Sequence, residues 1–81
     1  MSDADAALLV NKEVIITAPG FYRTRGGDRV EIILVSERQD FGCLGHYDDG
    51  VPERWHKSGR ILASRETQND IVNKERRHHG T

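Results

Sequence analysis

The stretch Pro19-Gly20-Phe21-Tyr22-Arg23-Thr24-Arg25-Gly26-Gly27-Asp28-Arg29-Val30-Glu31-Ile32-Ile33-Leu34-Val35 decides the fold. Two runs rich in β-branched and aromatic residues flank a glycine pair, the pattern of a β-hairpin. With Gly26-Gly27-Asp28 as a three-residue loop, Arg25 pairs with Arg29, Thr24 with Val30, Arg23 with Glu31 and Tyr22 with Ile32. Tyr22, Thr24, Val30, Ile32 and Leu34 then share one face, and Arg23, Arg25, Arg29 and Glu31 the other. A two-residue Gly-Gly loop pairs Arg23 with Val30 and mixes the faces. A one-residue slip exchanges faces, so the cleaner separation selects the longer loop. Ile33 and Val35 extend the second face and are apolar, so it needs a cover, for which the N-terminal segment is the candidate.

Outward from the hairpin, strands are expected over 41–47, 51–57 and 60–63, with turns at Asp48-Asp49-Gly50 and Ser58-Gly59. On the N-terminal side, Val14-Ile15-Ile16-Thr17 reads as a strand that Ala18-Pro19-Gly20 ends. Before it, Ser2 is a candidate N-cap for a short helix through Ala6, Ala7, Leu8 and Leu9, too short to stand alone. At the other end, Thr67-Gln68-Asn69-Asp70 resembles a capping box with Asp in place of Glu and can open a helix over 68–78. The alternative is that Asp70-Ile71-Val72 is a short closing strand.

The fold expected is mainly β: a small bent antiparallel sheet or SH3-like barrel of about five strands, with a short N-terminal helix and a basic C-terminal tail. Residues 1–12 form the helix or a flexible arm, 13–72 the β-rich domain and 73–81 the tail. The expected core is Val14, Ile16, Tyr22, Val30, Ile32, Leu34, Leu44, Trp55, Ile61, Leu62 and Ile71.

Composition bounds the function. The chain has 81 residues, room for one small domain with a modest core. Lys and Arg number 12 against 13 Asp and Glu, which argues against nucleic-acid or membrane binding by bulk charge. Charge is nonetheless uneven: the head is acidic, the body near neutral and the tail basic. No run approaches the roughly 18 apolar residues of a membrane span. The acidic start Met1-Ser2-Asp3-Ala4-Asp5 reads against a secretory signal, and a single cysteine, Cys43, fits a reducing cytoplasm.

The candidate partner-binding residues are Arg23, Arg25, Arg29, Tyr47, Trp55, Lys74, Arg76 and Arg77. Arginine forks bind phosphates and aromatic rings stack on bases, so Arg23, Arg25 and Arg29 beside Phe21 and Tyr22 can form a nucleic-acid surface. The plainer reading is a cross-strand Arg23–Glu31 pair on a solvated face. Lys74, Arg76 and Arg77 can contact phosphates or an acidic protein, though a solvated terminus is the more frequent case. Trp55 is either core or an exposed anchor of the kind found at binding hot spots. No metal site is expected, because Cys43 and His46 stand three apart and face opposite ways on a strand. No cofactor or enzymatic activity is expected either. Asp48 and Asp49 sit in a Gly-containing turn where Asp is common, and no nucleophile motif surrounds Ser36, Ser58 or Ser64.

The run Pro19-Gly20-Phe21-Tyr22-Arg23-Thr24-Arg25-Gly26-Gly27 resembles the opening of small β-rich proteins encoded by tailed phages and prophages. Trp55 and Gly59 match their "W…G" pair, and Arg65-Glu66 with Asp70-Ile71-Val72 match their ending, Ile71 replacing Leu. The match spans roughly 14–72 and leaves out the tail. The resemblance implies a bacteriophage accessory protein acting in the host cytoplasm, and transfers no catalytic residues. The function expected is therefore non-enzymatic binding and modulation of a host protein. The alternatives are a small nucleic-acid-binding module using Arg23, Arg25, Arg29 and the tail, and a self-associating structural protein joined through an uncovered strand edge.

Overall fold

The structure, a computed structural model, describes residues 13–75. Five strands are present: β1 Gly20–Thr24, β2 Arg29–Val35, β3 Cys43–Tyr47, β4 Pro52–Trp55 and β5 Ile71–Lys74. They form one open antiparallel sheet in the order β4-β3-β2-β1-β5. The first four make a meander, and β5 returns to pair with β1. Among the described residues no helix is long and apolar enough to cross a membrane. The expected N-terminal helix lies outside the described residues.

One turn device recurs three times. Thr24 N–H donates to Asp28 O and Gly27 N–H to Thr24 O, closing a loop of Arg25-Gly26-Gly27. Tyr47 and Val51 close Asp48-Asp49-Gly50 with the same two bonds, and His56 and Arg60 close Lys57-Ser58-Gly59. The last loop position has positive φ each time, 95° at Gly27, 89° at Gly50 and 91° at Gly59. That is the three-residue hairpin with a left-handed final residue, which a glycine adopts without a steric penalty.

This geometry corrects the expected register. The first loop is Arg25-Gly26-Gly27 and not Gly26-Gly27-Asp28, because the left-handed place goes to a glycine. Tyr22 therefore faces Val30 and Arg23 faces Arg29. The shift is two residues, so the faces survive: Tyr22, Thr24, Val30 and Ile32 are all buried. The expected Arg23–Glu31 pair does not form.

A bulge in β2 makes the second correction. Ile32 faces Gly45 while Leu34 faces Leu44, which leaves Ile33 as an extra residue. The alternation inverts beyond it. Leu34, expected in the core, is 53% exposed, whereas Val35 turns inward and packs against the core.

The flanks differ from expectation too. Residues 14–17 form no strand. Ile15 and Ile16 both donate to Lys57 O, which lays Ile16 into the core. Residues 60–63 form no strand either. Arg60 Nε donates to Leu62 O at 3.2 Å and Ile61 N–H to Asp70 Oδ1 at 3.1 Å, so side chains replace a ladder. A helix over 68–78 is overturned where it is described, because Ile71–Lys74 is β5. The strand crosses the boundary expected after residue 72 and takes Lys74 into the sheet.

Trp55, Tyr22, Ile16, Ile32, Ile71, Val30 and Cys43 form the core. Tyr22 O–H donates to Ala18 O at 2.7 Å and Trp55 Nε1–H to Asn69 O at 3.0 Å, so both large rings are buried without an orphaned polar atom. Truncating a ring so placed costs about 3–5 kcal/mol. Of the remaining expected core residues, Val14 is exposed and Leu44, Ile61 and Leu62 are half-buried. Phe41 and Ala63 pair in a small separate cluster that the sequence reading missed.

The loop glycines are not equivalent. A methyl at Gly50 meets open space, whereas one at Gly59 runs into the Ile71 carbonyl. Gly50→Ala is expected to destabilise by about 1–2 kcal/mol, the cost of a left-handed backbone. Gly59→Ala should cost clearly more. Urea unfolding of the two variants checks the ordering, and equal midpoints would refute it.

Candidate functional site

Pleating puts the core residues on one face of the sheet and a mixed set on the other. Across the outer face, Phe21 stands opposite Glu31 and Glu31 opposite His46. Arg23 stands opposite Arg29. Leu34 stands opposite Leu44, which in turn faces Arg54 on β4. Phe21, Ile33 and Leu34 are 37%, 54% and 53% exposed, and Leu44 is half-buried. The four make an apolar surface without a covering layer among the described residues.

The charges around it are mostly engaged. Arg23 Nε lies 2.7 Å from Glu75 Oε2, and Arg29 Nε lies 3.9 Å from Oε1 of the same carboxylate. Arg29 also lies over the Phe21 ring, its guanidinium carbon 4.0 Å from the centroid, a cation–π contact. His46 Nδ1–H donates to Tyr47 O, and its Nε2 lies 3.5 Å from Glu31. Arg54 donates to the neutral Gln39 Oε1 at 2.6 Å.

The structure separates the residues expected to act together. Arg23 and Arg29 share the outer face. Arg25 sits in the first loop, where its Nε donates to Thr67 O and its guanidinium approaches Glu66 and Asp70 at 3.5 and 3.6 Å. It ties the first hairpin to the segment before β5. Trp55 is fully buried, which bears out its core reading and removes it from the candidate surface anchors. Tyr47 packs edge-on against Trp55, with centroids 5.8 Å apart, on the inner side of the sheet. Its O–H donates to Glu53, and burial followed by the Glu53 charge and that hydrogen bond pushes its pKa up to about 12, with smaller contributions from Asp28 and Asp49. Lys74 is exposed at the end of β5, and Arg76 and Arg77 lie outside the described residues.

Ile33 was expected on the outer face, whereas Leu34, Leu44 and Arg54 were missed as surface candidates. For Leu34 a signal existed. Ile32-Ile33-Leu34-Val35 is four apolar residues in a row, and a strand with one buried face must expose about half of such a run.

A cleft of about 310 Å³ opens beside the core, with Val14, Val35, Cys43, Lys57 and His56 among its lining residues. His56 Nδ1, from the wall of this cleft, lies 2.9 Å from Ser58 Oγ, the spacing of a base and a nucleophile, but Ser58 does not line the cleft. The same Nδ1 accepts Ser58 N–H at 3.0 Å, so it carries no proton and the Ser58 hydroxyl donates to it. Ser58 is buried. The pair braces the 56–60 loop. Among the described residues no group of three or more His, Cys, Asp and Glu side chains is placed to hold a metal ion. No protein-family model, curated protein or solved structure matches this chain.

Two solution properties follow from the cleft. Burial, then the Lys57 charge, lowers the His56 pKa from its ordinary 6.5, against a smaller opposing pull from Asp40. The folded protein then binds fewer protons than the unfolded chain between the lowered value and 6.5. The stabilisation is fully present above 6.5 and is lost as pH falls through the folded value. Urea midpoints between pH 5 and 7.5 should rise with pH, and His56→Asn should flatten that rise. An unchanged slope in the variant would exclude His56 as the cause. Burial also pushes the Cys43 thiol up to about 11, against a smaller lowering by Lys57. At pH 8 Cys43 should react with a disulfide reagent slowly when folded and rapidly in urea.

Proposed function

We propose that this chain is a non-enzymatic accessory protein of phage or prophage type that binds and modulates a protein of its bacterial host, in the host cytoplasm. The observation that carries the reading is the outer sheet face, where Phe21, Ile33, Leu34 and Leu44 form an apolar surface. Exposed apolar patches rimmed by polar residues mark protein contacts. The host context rests on the resemblance of Pro19–Gly27 and the later motifs to small phage-encoded proteins.

The ion pairs favour this reading over a nucleic-acid module. Arg23 and Arg29 converge on Glu75, and Arg25 on Glu66 and Asp70. An arginine already opposite a carboxylate neutralises less phosphate charge and releases fewer counterions. We also read the sheet as the start of an SH3-like barrel. Ile71 N–H donates to Gly59 O, which supports that closure by joining the loop after β4 to the beginning of β5.

The test is capture from a bacterial lysate with tagged wild type and with Leu34→Asp, each with and without nuclease, read by mass spectrometry. A stoichiometric protein that survives nuclease and moderate salt, and is lost with Leu34→Asp, is the expected result. Recovery that disappears on nuclease treatment would move the function to nucleic acid.

A further inference from the structure

The outer face has a shape and a charge that narrow what it can hold. Its apolar part is a short row, Leu34 beside Leu44, with the bulged Ile33 adjoining and Phe21 on the neighbouring strand. The row ends at Arg54, which stands directly opposite Leu44. The face as a whole carries Arg23, Arg29 and Arg54 against Glu31 and Glu75, so cations outnumber anions even with His46 neutral. Arg23 and Arg29 divide one carboxylate between them, and among the described residues Arg54 pairs with the neutral Gln39 amide and with no carboxylate.

The edge next to this row does not invite an added strand. Pro52 has no N–H to offer, and Arg54 N–H is taken by the Glu53 carboxylate at 3.0 Å. Proline and a charged side chain on an edge are the devices that block strand addition. A partner that engages this row then lies on the face and not along the β4 edge. The element that covers an open sheet face is a helix with one apolar stripe.

Resting on the protein-binding reading above, we infer that the outer face docks a short amphipathic helix with an acidic flank. Its aliphatic stripe packs on Ile33, Leu34 and Leu44, and the carboxylates of its acidic flank reach Arg54, the arginine of this face whose partner among the described residues is the neutral Gln39 and not a carboxylate. Charge complementarity selects acidic helices over basic ones, and the apolar row supplies the contact area.

The test is selection of displayed random peptides of about 15 residues, roughly four helical turns, against the full-length chain. Selected peptides are then titrated by fluorescence anisotropy against wild type, Leu34→Asp and Arg54→Glu. The expected consensus has aliphatic residues at helical spacing and Asp or Glu on one flank. Leu34→Asp and Arg54→Glu should each weaken binding about tenfold or more. Arg54 is exposed, and circular dichroism of both variants checks that they fold. Peptides that lack the acidic flank, or that bind the variants as well as wild type, would overturn the inference while leaving a protein-binding role in place. Absence of any enriched peptide would also overturn it, whether the face is taken by residues 1–12 or by a second copy. The lysate capture decides the protein-binding role separately.

Discussion

The Asp70 carboxylate is the group on which the five-stranded arrangement depends. It is 1% exposed and accepts hydrogen bonds from Ile61 N–H, Thr67 N–H and Thr67 Oγ1. Arg60 and Arg25 flank it at 3.6 Å. A buried carboxylate without such partners carries a large desolvation penalty, and here every donor comes from a segment that otherwise has no regular structure. The carboxylate thus organises residues 60–70 into a fixed path. Its own backbone carbonyl accepts Arg25 N–H, which registers the path against the first hairpin. Ile71 then enters the sheet beside β1.

Much of the outer face follows from that return. Once β5 is paired with β1, Glu75 N–H donates to Phe21 O and its side chain lands between Arg23 and Arg29. The carboxylate draws Arg29 toward Phe21, and the apolar row of Ile33, Leu34 and Leu44 lies beyond it. The β2 bulge makes that row. Without it Leu34 would point to the core and Val35 to solvent, and the face would lose its Leu34–Leu44 contact. A one-residue irregularity in a central strand therefore converts part of a core pattern into surface, consistent with the tendency of bulges to re-aim side chains at functional places.

The His56–Gly59 loop acts as a second junction. Lys57 O receives both Ile15 and Ile16, Gly59 O receives Ile71, and His56 is locked by Ser58. The N-terminal segment, the end of β4 and the start of β5 all converge on these four residues. This is why a methyl at Gly59 and a proton on His56 act on the whole fold, although neither touches the outer face.

Local backbone chemistry was written plainly in the chain. Alternation and turn glycines determined an antiparallel β protein, the hairpin faces over Tyr22–Thr24 and Arg29–Ile32 and the places of four strands, because a strand's period and a loop's positive φ depend on near neighbours. Even the true register was legible once a three-residue loop was chosen, since of the two such loops around Gly26-Gly27 only Arg25-Gly26-Gly27 puts a glycine in the final, left-handed position. The tertiary structure alone decided the rest. Whether 60–63 is a strand depended on Asp70 taking Ile61 N–H, and whether 68–78 is a helix depended on β1 offering an edge to Ile71–Lys74. The pairing of Arg23 with Glu75 and not Glu31, and the exposure of Leu34, came from contacts between residues far apart in sequence, whose energies no local pattern carries.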